Sequence, residues 1–91
     1  MIIKVLFGGK TRFVSIPKGC LDNTDDIKKG FLEWIYNNPK KYLKKAHKGH
    51  YGYCFSEKDF LLYVNDVLLI NHYEKALFVD TTDGPFLTIS F

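Results

Sequence analysis

Residues 60–70, Phe60-Leu61-Leu62-Tyr63-Val64-Asn65-Asp66 and then Val67-Leu68-Leu69-Ile70, decide how this chain is read. An apolar run rich in β-formers stops on Asn-Asp, two residues that tolerate the left-handed backbone of a tight turn. This pattern predicts a strand over 60–64, a turn at 65–66 and a short return strand over 67–70. Further on, Thr81-Thr82-Asp83-Gly84-Pro85 is dense punctuation, and Pro85 bars a central ladder until Phe86. A final strand is expected over 86–91.

Working back to the start, Met1 to Phe7 (MIIKVLF) alternates in the manner of a strand, with Ile3, Val5 and Phe7 on one face and Ile2, Lys4 and Leu6 on the other. Gly8-Gly9-Lys10 can take the positive φ of a hairpin turn, and Thr11 to Ile16 (TRFVSI) returns as a second strand whose Val14 and Ile16 face the core. Pro17 to Leu21 reads as a connection. Asn23 or Thr24 can cap a helix, and Asp25 and Asp26 in its first turn suit the positive end of the helix dipole. Ile27, Phe31, Trp34, Ile35 and Asn38 recur at three- and four-residue spacing, so one stripe of this helix points at a core. Pro39 ends it, because the residue before a proline is pushed out of helical geometry.

Residues 40–47 (KKYLKKAH) are expected as a short second helix with Tyr42, Leu43 and Ala46 inward, and residues 49–55 as loop or a short edge strand. The order is hairpin, helix, irregular crossing, strand, turn, strand, turn, final strand. It implies one α+β domain of the β-grasp type: a mixed sheet of four or five strands, one main helix across one face, and the last strand parallel to the first.

Composition agrees with a single globular domain. The chain has 91 residues, 46% hydrophobic, 25% charged and 16% aromatic, enough for one core and unlike a disordered chain. Its net charge of +3 is mild, so a nucleic-acid partner is permitted by charge and not indicated by it. Cys20 and Cys54 are read as two reduced thiols rather than a disulfide, and no signal peptide or long apolar span is recognisable. A cytoplasmic protein without a membrane span is the expectation.

Element order and local blocks resemble ubiquitin, and more closely the ubiquitin-related modifier and sulfur-carrier family that includes the small subunit of molybdopterin synthase. Val5-Leu6-Phe7-Gly8-Gly9 is similar to that family's VEFGG, Phe31-Leu32-Glu33-Trp34-Ile35 to its LLxWI, Phe60 to Asp66 to its ILVLIND, and Phe86 to Phe91 to its FIST strand. The resemblance implies a non-enzymatic protein that docks on a partner such as an activating enzyme of the E1 type, with Ser90 and Phe91 at the exit of the C-terminal strand. Two departures stand out: the family's LHGG tail, which carries its chemistry, is not present after Phe91, and Val67 to Ile70 replaces its acidic, tryptophan-bearing segment. Either the tail is removed or lies outside this sequence, or the protein is a stand-alone inhibitor or adaptor that works by non-covalent binding.

The sharpest candidate site follows from alternation. On the sheet face away from the helix, Ile2, Leu6, Phe13, Leu61, Tyr63 and Phe86 should lie together, with Lys4, Arg12 and Thr88 beside them. A contiguous apolar patch on a small domain marks an interface. Docking through Lys4, Leu6, Phe13, Leu61, Tyr63, Phe86 and Thr88 is therefore expected, with Lys4 and Arg12 as orienting charges. A shift of register by one, or residues 40–55 folding back over this face, would remove it.

Three other constellations compete. His47, His50 and Cys54 have spacing that could offer three metal ligands, but a structural zinc site wants four, and surface loop residues are the simpler reading. Cys54 as a nucleophile lacks a recognisable base and orienting group. Lysines 40, 41, 44, 45 and 48, interleaved with Tyr42, His50, Tyr51 and Tyr53, could contact phosphates and bases, which is the nucleic-acid alternative; the plainer reading is a solvated helix face with its tyrosines tucked inward. No catalytic residue, metal or cofactor is expected, and a monomer or weak dimer is.

Overall fold

A computed structural model describes residues 1–17, 19, 23–45, 49–81, 84 and 86–91. Strands β1 (Ile2–Phe7) and β2 (Lys10–Ser15) form the expected hairpin, turned at Gly8, whose φ of 58° is a left-handed value. Helix α1 (Thr24–Tyr36) starts where the Asn23 side chain accepts the main-chain N–H groups of Asp25 and Asp26 at 3.0 and 3.2 Å. It buries Ile27, Phe31 and Ile35, and it ends before Pro39 with the Asn38 amide donating to the Trp34 carbonyl at 2.6 Å.

A single turn, α2 (Pro39–Tyr42), leads into strand β3 (Leu43–Lys45), which pairs antiparallel with β4 (Tyr51–Tyr53) as a separate two-stranded ribbon. The expected helix over 40–47 thus stops at Tyr42. Tyr42 does point inward, at 3% exposed, whereas Ala46 and His47 lie outside the described residues.

The main correction concerns residues 60–70. Helix α3 spans Glu57–Tyr63 and runs on as a π-helical turn over Val64–Leu68, closed by the Leu69 N–H on the Val64 carbonyl at 2.8 Å. Neither of the two strands nor the Asn65-Asp66 hairpin turn forms. Its start is fixed by Ser56 and Asp59: the Asp59 carboxylate accepts the Ser56 N–H at 2.8 Å and the Ser56 hydroxyl at 3.3 Å, in the manner of a capping box. Phe60, Tyr63, Val64 and Leu69 are the buried positions of the segment, and the first three have helical spacing. The apolar face therefore goes under α1 and not into a sheet.

After the π turn, Asn65 brings the chain back. Its side-chain oxygen accepts the Ala76 N–H at 2.7 Å and its amide donates to the Ala76 carbonyl at 3.0 Å, a side chain standing in for a neighbouring strand. Lys75 donates to the Leu69 carbonyl and, at 3.5 Å, to that of Asn65. Strand β5 (Leu77–Val79), not anticipated in sequence, then joins the outer edge of β2, and β6 (Leu87–Ser90) pairs parallel with β1 as expected. The main sheet is mixed, in the order β5-β2-β1-β6.

The core lies between one sheet face and the helices. Ile3, Val5, Val14, Ile16 and Ile89 meet Ile27, Phe31, Ile35, Phe60, Tyr63, Val64 and Leu69. Phe91 completes it: its ring stacks on Phe7 at 4.7 Å, stands edge-on to Phe31 at 5.3 Å, and its N–H donates to the Leu6 carbonyl at 2.8 Å. The domain is α+β, with α1 and α3 both contributing to that one core.

Candidate functional site

Strand registers place the side chains of the opposite sheet face in rows. Val79, Phe13, Lys4 and Thr88 stand side by side across β5, β2, β1 and β6. Leu77, Ser15 and Ile2 form the row on one flank, with Phe86 leading into β6, and Thr11, Leu6 and Ser90 form the row on the other. The rings of Phe13 and Phe86 touch edge to face, with centroids 5.4 Å apart. Each strand sends alternate residues here, because its other alternate residues are claimed by the core.

None of Ile2, Leu6, Phe13, Val79 and Phe86 belongs to the core or to the apolar residues packed against it. Ile2, Leu6, Phe13 and Phe86 are nevertheless half-buried, because they cover one another. Leu77 at the edge is 55% exposed. Lys4, also half-buried, stands in the middle strand of this apolar grid, and among the described residues it has no carboxylate within ion-pair distance.

The structure thus brings together Ile2, Lys4, Leu6, Phe13, Phe86 and Thr88 from the expected patch and removes three residues from it. Leu61 and Tyr63 sit on α3, on the core side; Tyr63 is 5% exposed, with its ring 5.6 Å from Phe31 and 5.4 Å from Trp34. Arg12 pairs with Val5 and so points to the core side, where its guanidinium lies 4.0 Å from the centre of the Phe78 ring and 3.9 Å from the Glu57 carboxylate. The alternation that puts Phe13 on the open face obliges its neighbour to turn away. Val79 and Leu77 join the patch instead; the short apolar run Leu77-Phe78-Val79, closed by Asp80, could have signalled a strand but not where it docks. Ser90 lies on the open face and is exposed, while Phe91 is held among aromatic rings.

The competing constellations also have places. Among the described residues no three His, Cys, Asp or Glu side chains converge on a metal site; His47 lies outside them, and His50 and Cys54 are exposed. Cys54 is a free thiol at the rim of a cleft of 470 Å³ on the core side, lined also by Phe7, Lys10, Phe55, Glu57 and Phe91. Cys20 lies outside the described residues. Burial raises the pKa of Tyr42 and of Tyr63; the negative charges of Asp59 and Glu33, respectively, act in the same direction.

No helix among the described residues is long and apolar enough to cross a membrane. No family model, curated protein or solved structure matches this chain.

Proposed function

We propose that the protein is a non-enzymatic protein-binding domain that docks through its open sheet face. The observation that carries this reading is Lys4, without a carboxylate partner among the described residues, standing within an apolar surface formed by Ile2, Leu6, Phe13, Val79 and Phe86. The partner it fits is a protein with an apolar surface and a carboxylate near its centre. A second copy laid on the face about a two-fold axis would bring Lys4 toward its own symmetry mate, an uncompensated like-charge contact, so a different protein is the better occupant.

Within this reading the domain is β-grasp-like and related to the modifier and sulfur-carrier proteins. Support comes from the N-terminal hairpin, the crossing helix α1 and the parallel pairing of β6 with β1. The helix over 57–63 and the place of β5 beside β2 depart from the resemblance, and they favour an adaptor or inhibitor over a carrier.

A photo-crosslinking residue placed at Thr88, on the open face, should capture a discrete partner from an extract of the source cells. The same residue at Lys29, on the exposed side of α1, should not. Phe13→Ser in the Thr88 probe should remove the adduct at unchanged melting temperature, because truncating a central aromatic anchor costs about 2 kcal/mol or more of binding. Undiminished capture by the folded Phe13→Ser protein would refute sheet-face docking.

A further inference from the structure

A second surface, on the β3–β4 ribbon, has a chemistry of its own. Between Glu33 and Glu57 the sequence holds no acidic residue. Lys40, Lys41, Lys44 and Lys45 are all exposed, on the α2 turn and the adjoining strand. The expectation of tyrosines tucked behind a lysine-bearing helix holds for Tyr42 and fails for Tyr51, which is 66% exposed; Tyr36, at the end of α1, is also 52% exposed.

Pairing decides what these residues can do jointly. Lys45 and Tyr51 are direct cross-strand partners, so the ammonium and the ring project from the same side of the ribbon as neighbours. Leu43 and Tyr53 form the next pair on that side, and the Tyr53 ring meets Tyr36 edge to face at 4.9 Å while its hydroxyl donates to the Tyr36 carbonyl at 3.3 Å. The exposed Tyr51 ring thus lies beside Lys45, the adjoining α2 turn carries Lys40 and Lys41, and Lys44, paired with Gly52, projects from the other side of the ribbon. Aromatic faces beside exposed lysines are what a single strand needs, with bases stacking on the rings and phosphates meeting the ammonium groups. A duplex hides its base faces and an anionic membrane offers none, so neither uses Tyr51 in this way.

We propose that the ribbon and the α2 turn bind single-stranded nucleic acid, with Tyr51 as the stacking platform and Lys40, Lys41 and Lys45 as the phosphate contacts. This site stands apart from the sheet face and does not depend on it.

The test is fluorescence anisotropy of a labelled oligothymidylate titrated with the full chain. With three phosphate contacts and a slope of about −0.7 for each, affinity should fall about 20-fold as salt rises from about 50 to about 200 mM. Tyr51→Ala should weaken binding by about 5- to 150-fold, and Tyr51→Phe should retain it. Phe13→Ser should leave oligonucleotide affinity unchanged, which separates this site from the sheet face. Three results would each overturn the proposal: no binding at roughly 100 μM protein in low salt, equal affinity of wild type and Tyr51→Ala, or binding of phosphatidylserine vesicles where the oligonucleotide does not bind.

Discussion

Gly30 is the most direct probe of how α1 and α3 meet. A Cβ added there would lie 2.4 Å from the Tyr63 hydroxyl oxygen and 3.5 Å from its ring carbon Cζ. The first distance is about 1 Å inside ordinary contact, and the second is ordinary contact. Tyr63 cannot easily retreat, since its ring is 5% exposed and wedged between Phe31 and Trp34. In an open helix Gly→Ala stabilises by about 1 kcal/mol. Here, overpacking at a cost of about 1–3 kcal/mol offsets that gain, so Gly30→Ala should be neutral to destabilising by about 2 kcal/mol. Tyr63→Phe removes the obstructing oxygen and leaves only the Cζ contact. In that background Gly30→Ala should stabilise by about 1 kcal/mol. Urea unfolding of the four proteins gives the cycle, with an expected coupling of about 1–3 kcal/mol. Additive effects, with Gly30→Ala equally stabilising in both backgrounds, would mean that Tyr63 does not face Gly30 and that residues 60–63 do not pack on α1 as a helix.

Ile3→Ala should destabilise by about 2–5 kcal/mol in thermal or urea unfolding, while Leu6→Ala, on the open face, should cost less than about 1 kcal/mol. Asn65→Leu removes both hydrogen bonds to Ala76 and leaves its main-chain groups without those partners; a loss of about 1–3 kcal/mol and faster amide exchange at Ala76 are expected. The raised pKa values of Tyr42 and Tyr63 mean that their stabilising contribution is fully present below the ordinary tyrosine value of 10.0 and is lost as pH rises through the raised values. Urea midpoints should therefore fall above pH 10.0, and Tyr42→Phe and Tyr63→Phe should each flatten that fall.

Where periodicity was long, the sequence could be read. The hairpin, α1 with its Asn23 cap, the buried set Ile3, Val5, Val14 and Ile16, and the parallel last strand all appear in the structure. Phe60 to Ile70 misled because a short apolar run has no period of its own: Phe, Leu and Tyr serve a buried helix as readily as a strand. Ser56 and Asp59, at capping-box spacing just ahead of the run, carried the deciding information, and Asn65-Asp66 imitated a turn. Leu61 and Tyr63 were assigned to the open face as a direct result, since a strand there would have alternated into it. The other half of the patch, carried by β1, β2 and Phe86, was legible because a hairpin register follows from its turn. No local signal marks where β5 docks, because its three residues owe their position to Asn65, a contact eleven residues away in sequence.

Along β1, odd positions answer to the core and even positions to the solvent face, so adjacent codons answer to different constraints. Under the proposed sheet-face docking, random substitution at Ile2, Leu6, Phe13 and Phe86 can alter what the face recognises while Ile3, Val5, Val14 and Ile89 hold the sheet in place. On that proposed reading the domain is a scaffold whose specificity can drift, or be selected in a displayed library, at little cost to folding. Among diverging descendants, the four face positions should vary in concert with their partners, and the four core positions should change mainly by exchange among residues of similar volume.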